Sequence, residues 1–193
     1  MLQRLYDWTM SFATRPGALW ALGLVAFAES SFFPIPPVAL LIPMVLAARH
    51  KAWFFATICT LASVAGGAAG YLIGWGLFET IGSPILEFYG LTEKFESFAG
   101  RYNEYGAWIV FMAGVTPFPY KVITIASGTT GLNFWIFTVA SILARGLQYF
   151  FIAGLLYWIG EPIRTFIERR LGLVAILFFV TLFAGFFLVK YLH

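Results

Sequence analysis

The chain is poor in charge, cysteine and histidine. Lys, Arg, Asp and Glu make up 11% of its 193 residues, against about 25% in soluble domains. A soluble globule of this size cannot hide the apolar remainder, so most of the surface must face lipid. A cytosolic enzyme, a nucleic-acid binder and a secreted disulfide scaffold are thereby excluded. Twelve basic residues against nine acidic ones give a net charge of +3. They form no stripe wide enough for nucleic acid and read instead as loop charge beside an anionic leaflet. The single cysteine, Cys59, lies in an apolar run, so no intrachain disulfide and no cysteine metal site is expected. His50 sits in a charged loop and His193 is the last residue, which leaves no histidine for acid–base or metal chemistry inside a membrane. No cofactor is expected. Gly-x-Ser-x-Gly, His-Glu-x-x-His and paired aspartates are also missing. No leader pattern precedes the first apolar stretch, so the chain is expected to keep its N-terminus.

What the sequence does have is apolar length. Hydrophobic residues make up 61% of it and mean hydropathy is +0.85. Five stretches stand out: 17–48, 52–78, 106–131, 134–160 and 171–189. A spanning helix needs about 20 apolar residues, and the second, fourth and fifth meet that length. The first is too long for one span and too short for two, and Pro34-Ile35-Pro36-Pro37 breaks it near its middle. The third is broken by Thr116-Pro117-Phe118-Pro119 after ten residues, which reach roughly 15 Å, half a hydrocarbon core. Proline removes a backbone donor and clashes with the preceding turn, so each break is an expected helix end.

Charge distinguishes a kinked span from a re-entrant hairpin. Arg15 flanks the first stretch on one side and Arg49, His50 and Lys51 on the other. Basic residues at both ends place both ends in the cytoplasm. The span 52–78 then crosses outward to the segment 79–105, where five acids outnumber Lys94 and Arg101. The stretch 106–131 dips in from outside, 134–160 returns, and 171–189 crosses last. On this layout seven basic residues lie inside (Arg4, Arg15, Arg49, Lys51, Arg164, Arg169, Arg170) and three outside (Lys94, Arg101, Lys190). The opposite orientation stays open. Residues 1–14 put Leu2, Leu5, Tyr6, Trp8, Thr9 and Phe12 near one helical face, an interfacial helix on the membrane. Aromatic and acidic residues alternate at helical spacing through 83–105, as in one amphipathic outer helix or two.

The two halves resemble each other. Pro34-x-Pro36 matches Pro117-x-Pro119 at an offset of 83, Trp53 matches Trp135 at 82, and Ala69-Gly70 matches Ala153-Gly154 at 84. The expected fold is an all-α integral membrane protein of two inverted repeats. Each repeat is a Pro-broken re-entrant hairpin plus a transmembrane helix, and a final helix follows. Broken hydrophobic segments at corresponding places in two inverted halves point to a transport site at their interface. Chance similarity in an Ala/Gly/Phe-rich chain is the competing explanation.

Three charges fall inside apolar stretches: Glu29, Lys121 and Arg145. A charge at a membrane helix centre costs roughly 2.5–3.5 kcal/mol on insertion scales, so it faces a cavity or a partner. Glu29 precedes the first break by five residues and Lys121 follows the second by two. The hairpin layout therefore brings Glu29 toward Lys121 at the midplane. A structural ion pair is one reading, and a proton-coupling carboxylate is the other. Lys121 and Arg145 can also hold an anionic headgroup, aided by freed backbone at Thr116 and by the N-terminus of a helix starting near Tyr120. Pro34, Pro36, Pro37, Pro117 and Pro119 then form the gating tips, and simple kinking is the alternative. Gly66, Gly70 and Gly74 recur every four residues, the spacing of close helix packing in membranes. Ser30 and Ser31 beside Glu29 imitate a nucleophile and base, but adjacent helical residues point about 100° apart.

Phe27-Ala28-Glu29-Ser30-Ser31-Phe32-Phe33-Pro34-Ile35-Pro36-Pro37 and Thr116-Pro117-Phe118-Pro119-Tyr120-Lys121-Val122 resemble the DedA family. Together with Ala144-Arg145-Gly146-Leu147-Gln148-Tyr149 they resemble its small YqaA-like branch. The likeness covers most of the chain. It implies opposed re-entrant hairpins in a bacterial inner membrane and a role in envelope homeostasis. It also implies proton-coupled transport or flipping of an anionic lipid or polyprenyl-phosphate carrier. By the resemblance Glu29 is the membrane acid, Lys121 the base of the second hairpin and Arg145 the helix arginine. Val38 stands where the branch often carries an acid, and Val115-Thr116-Pro117 replaces a common Gly-Arg-Phe. The expected function is thus lipid transport with protons and lipid as partners, the chain alone or as a homodimer. A membrane scaffold and, less strongly supported, a lipid phosphatase are the alternatives.

Overall fold

A computed structural model describes residues 17–32, 36–116 and 118–160 of the chain. The expected interfacial helix 1–14, the expected last span 171–189, and Pro34 and Pro117 lie outside the described residues. The described residues are mostly helical, with no strand among them. In chain order the helices are α1 (Ala18–Ser31), α2 (Val38–Ala47), α3 (Ala52–Leu77), α4 (Ser83–Tyr89), α5 (Thr92–Glu104), α6 (Gly106–Val115) and α7 (Tyr120–Thr129). The last is α8 (Phe134–Gly160).

Helices stop where proline chemistry demands it. Thr116, the residue before Pro117, is extended at φ −84° and ψ 165° and ends α6, as the clash with a following proline ring requires. Pro119 is extended in turn, and α7 starts one residue later. Gly131, at φ +66°, takes the left-handed conformation that lets Leu132 N–H return to Ser127 O (2.9 Å) and close α7. Asn133 then caps α8, its Oδ1 accepting from the backbone of Trp135 (3.0 Å) and Ile136 (3.2 Å), which satisfies orphan donors of the first turn.

Two helices, Arg49–Tyr89 and Phe134–Gly160, are long and apolar enough to cross a membrane. The first runs past the expected end of the 52–78 span. A π-helical turn at Phe78–Gly82 joins α3 to α4 instead of a break. Pro84 explains it: lacking an N–H, it is accommodated in the first turn of α4 beside a widened turn.

The packing centre is α3. Its buried face is a stripe of small residues, among them Ala52, Ala56, Cys59, Ser63, Gly66, Gly67, Gly70 and Gly74. Helices α1 and α7 lie against it. A methyl on Gly66 would meet the Phe27 carbonyl of α1, and one on Gly74 the Ile125 carbonyl of α7. One on Gly128 would meet the Tyr71 carbonyl of α3. Backbone-on-backbone approach of this kind is how membrane helices gain contact without a hydrophobic driving force between them. Outside this core, Trp20, Leu24, Leu61, Trp135, Leu143, Phe151 and Trp158 are exposed, the surface lipid would wet. At one end, Arg49 Nη2 donates to Tyr157 O (2.6 Å), a cation on the last turn of α8 where the helix dipole favours it.

Candidate functional site

Glu29 sits two residues before the end of α1 and Arg145 midway along α8. Their side chains form an ion pair, with Arg145 5% and Glu29 17% exposed. The guanidinium is built into the junction of α1, α3, α7 and α8. Its Nε donates to Ser63 Oγ of α3 (2.6 Å) and its Nη1 to Gln148 Oε1 (3.1 Å). Its Nη2 donates to Glu29, to Tyr149 Oη (2.7 Å) and, longer, to Ser30 Oγ (3.4 Å). The rings of Tyr120 and Tyr149 lie 4.8 and 5.0 Å from the guanidinium carbon, within cation–π range. Each guanidinium nitrogen is thus occupied, as a buried planar cation requires.

Hydroxyls knit the surrounding helices. Ser30 and Ser63 Oγ lie 2.7 Å apart, and Ser30 Oγ donates to Glu29 (3.2 Å). The two adjacent side chains do meet at the helix end. Ser31 Oγ instead donates to Phe27 O and Gly66 O (2.8 Å each). Thr124 Oγ1 of α7 reaches Ser30 O of α1 (3.0 Å). The Tyr120 hydroxyl donates to Ser141 Oγ, which donates to Phe137 O (2.6 Å). The two broken regions are therefore stitched together at the last turn of α1 and the first turns of α7.

This changes the expected pairing. Glu29 meets Arg145 and not Lys121, which makes no side-chain hydrogen bond or ion pair among the described residues. The reason is rotation along α7. Tyr120 is fully buried toward α8, and Lys121, about 100° further round, is half-buried on another face. Tyr120 therefore holds Arg145 and is closed to an outside anion. Thr116 is exposed, with a long contact to Ala113 O (3.5 Å). Of the tips, Pro37 is buried, Pro36 half-buried and Pro119 exposed. Sequence reasoning missed Ser63, Gln148, Tyr149 and Thr124 as partners. Gln148 and Tyr149 were findable, since they stand three and four residues from Arg145 on one helix face. Among the described residues no cluster of His, Cys, Asp and Glu can hold a metal.

A VTT-domain family model matches residues 34–158, from the first proline break nearly to the end of α8. A Haemophilus influenzae protein with no assigned role is 30% identical over 186 residues, 96% of each chain. One from Histophilus somni is 34% identical over 157 residues, 81% of this chain and 82% of its own. No solved structure matches the chain. Helices long enough to cross a membrane, a proline-broken pair on each side of α3 and a family match that covers α2 to α8, Arg145 included, lead to one conclusion: the chain belongs to the VTT-domain, or DedA, family of membrane proteins.

Proposed function

We propose that the protein is a multi-pass transporter of the bacterial plasma membrane that moves an anionic lipid or lipid-linked phosphate between leaflets, coupled to protons. The observation that carries the proposal is the Glu29–Arg145 pair, buried where α1 meets α8. An intramembrane ionisable pair is a poor stabiliser compared with apolar packing, and such pairs mark ion and substrate paths. Two inverted repeats with re-entrant hairpins, 17–48 and 106–131, would put the site between halves that rock against each other.

In this mechanism Glu29 takes the proton. It is the more exposed member of the pair, and its only other side-chain partner among the described residues is Ser30. Protonation removes the charge that Arg145 Nη2 faces and frees that nitrogen for a phosphate oxygen. Ser63, Gln148, Tyr120 and Tyr149 keep the guanidinium in place meanwhile. Lys121, half-buried and without a side-chain partner among the described residues, is the headgroup's first contact, near the proline tips that gate it. The phosphate's departure lets Glu29 lose its proton and re-form the pair. The test is leaflet exchange of labelled anionic lipids by the full chain in proteoliposomes. Exchange that survives both Glu29→Gln and Lys121→Ala at normal expression rejects this mechanism.

One observation favours a second reading, a non-transporting scaffold: Arg145 has so many fixed partners that the pair can serve as a bolt between α1 and α8. A double-mutant cycle on stability separates the two. Large Glu29–Arg145 coupling together with unchanged exchange supports the bolt.

A further inference from the structure

Four side chains at the ion pair form a closed ring, and counting their hydrogens fixes its direction. Arg145 Nε donates to Ser63 Oγ of α3 (2.6 Å). Ser63 Oγ lies 2.7 Å from Ser30 Oγ of α1, and Ser30 Oγ donates to Glu29 Oε2 (3.2 Å). Arg145 Nη2 closes the ring on the same carboxylate oxygen. A hydroxyl has one hydrogen to give. Ser30 gives its own to Glu29, so Ser63 donates to Ser30, and Nε supplies the hydrogen that Ser63 accepts.

No neighbour can stand in for this chain. The Ser31 hydroxyl is taken by Phe27 O and Gly66 O (2.8 Å each), and Ser30 and Ser63 are fully buried. The guanidinium thus reaches the acid twice, directly through Nη2 and through two hydroxyls from Nε. Both paths end on Oε2. Glu29 Oε1 accepts no hydrogen bond among the described residues, which makes it the oxygen open to a proton.

We propose that Ser63 and Ser30 are positioning residues for the proton-coupling step, a one-way hydroxyl chain that carries the polarisation of Arg145 to Glu29 Oε2 and leaves Oε1 to take the proton. This rests on the reading of Glu29 as the proton carrier. Hydrogen bonds to an ionised acceptor are stronger than those to a neutral one, so the chain grips the carboxylate more firmly than the carboxylic acid. When a phosphate takes Nη2, the direct path opens while the path from Nε stays. The chain then keeps the acid beside α8 and ready to re-form the pair. The other ionisable groups facing Glu29 are Arg145 and Tyr149 of α8 and Tyr120 of α7. Cys59 of α3 faces Tyr149, and Lys121 forms no ion pair among the described residues. Those residue types ordinarily change charge above about pH 8, so below it the charge step at this site belongs to Glu29.

The test is difference infrared spectroscopy of the full-length protein in nanodiscs, titrated from acid to neutral pH. The protonated carboxyl band of Glu29 is the one missing from Glu29→Gln. Ser30→Ala should move the midpoint of that band up by about 1 pH unit, the size of one hydrogen bond to a charged group. Ser63→Ala leaves the Ser30 hydroxyl but unpolarised, and should move it about half as far. Ser30→Cys keeps most of the buried volume with only a weak donor. It should match Ser30→Ala, and it keeps the proposal testable where the alanine variant fails to fold. Thr124→Val is the structural control, since the Thr124 hydroxyl bonds the Ser30 carbonyl (3.0 Å) and not the carboxylate. It should lower Tm without moving the midpoint. A wild-type midpoint in Ser30→Ala or Ser30→Cys overturns the proposal, as does an equal shift in Thr124→Val. The titration needs no transported lipid. A shifted midpoint in a protein that exchanges no lipid upholds the chain and sinks the transport reading. Exchange that needs Glu29, with an unmoved midpoint, sinks the chain alone.

Discussion

Replacing Gly74 with alanine tests the packing on which the ion pair depends. The new methyl would fall on the Ile125 carbonyl of α7, with Ile125 Cα only 3.0 Å away. Both are backbone atoms, so no side chain can rotate aside, and α7 must move out from α3. A gap of about 0.5–1 Å forfeits a quarter to a half of each dispersion contact across the interface. The reciprocal contact at Gly128 against Tyr71 O opens with it, and the Tyr71 hydroxyl bond to Leu132 O (2.6 Å) is strained. Overpacking of this kind costs about 1–3 kcal/mol, and a loosened hydrogen bond adds about 1 kcal/mol. Relief of glycine's poor helix propensity returns up to about 1 kcal/mol. The net loss of about 1–3 kcal/mol should lower the apparent Tm in detergent by roughly 2–12 °C for a chain of this size. Gly76 is the control: it lies two residues away on the same helix with nothing within 4 Å of its added methyl, so Gly76→Ala should be neutral or slightly stabilising. Equal Tm values for Gly74→Ala and Gly76→Ala would refute the packing account.

Other predictions follow from the same contacts. Glu29→Ala leaves a buried guanidinium uncompensated and should destabilise the protein by about 3–5 kcal/mol. Glu29→Gln keeps an acceptor and should cost less, a difference readable by thermal unfolding. The Glu29→Gln/Arg145→Gln double variant should fall short of the summed single effects by about 1–3 kcal/mol, and additive losses would mean the pair does not couple. Tyr120→Phe removes a hydroxyl bond to Ser141 but keeps the ring over Arg145, so it should lose about 1 kcal/mol, whereas Tyr120→Ala should lose several. Burial pushes the Tyr102 phenol above its ordinary value of 10.0. The folded state then holds that proton more tightly than the unfolded state. Its contribution is present below pH 10 and fades as pH rises further, so Tyr102→Phe should flatten the alkaline fall of Tm.

Much of the helix layout was legible because proline and glycine act locally. The breaks at Pro36–Pro37 and Thr116–Pro119 need only ring sterics, and the close approach at Gly66, Gly70 and Gly74 needs only spacing. The three costly charges were legible as well, from composition along the apolar stretches. Which acid meets which base was not. Glu29 and Lys121 both flank proline breaks, but a pairing depends on the rotation of α7 and on where α8 crosses α1. Those are set by interhelical packing between residues more than a hundred positions apart, such as Glu29 and Arg145. Ser63 was hidden for a related reason: within the small-residue face of α3 it reads as one more packing residue until Arg145 is placed beside it. The continuation of α3 into α4 was missed because the acids after Leu77 look like a loop, while the backbone absorbs Pro84 in a π-helical turn.

The most direct test of the central claim is leaflet exchange in proteoliposomes, with and without a pH gradient, for wild type and Glu29→Gln. The account predicts protein-dependent exchange of an anionic lipid that the gradient speeds in wild type and leaves unchanged in Glu29→Gln. Equal acceleration in the two proteins, or no exchange by a correctly folded wild type across anionic and lipid-linked phosphates, would contradict it.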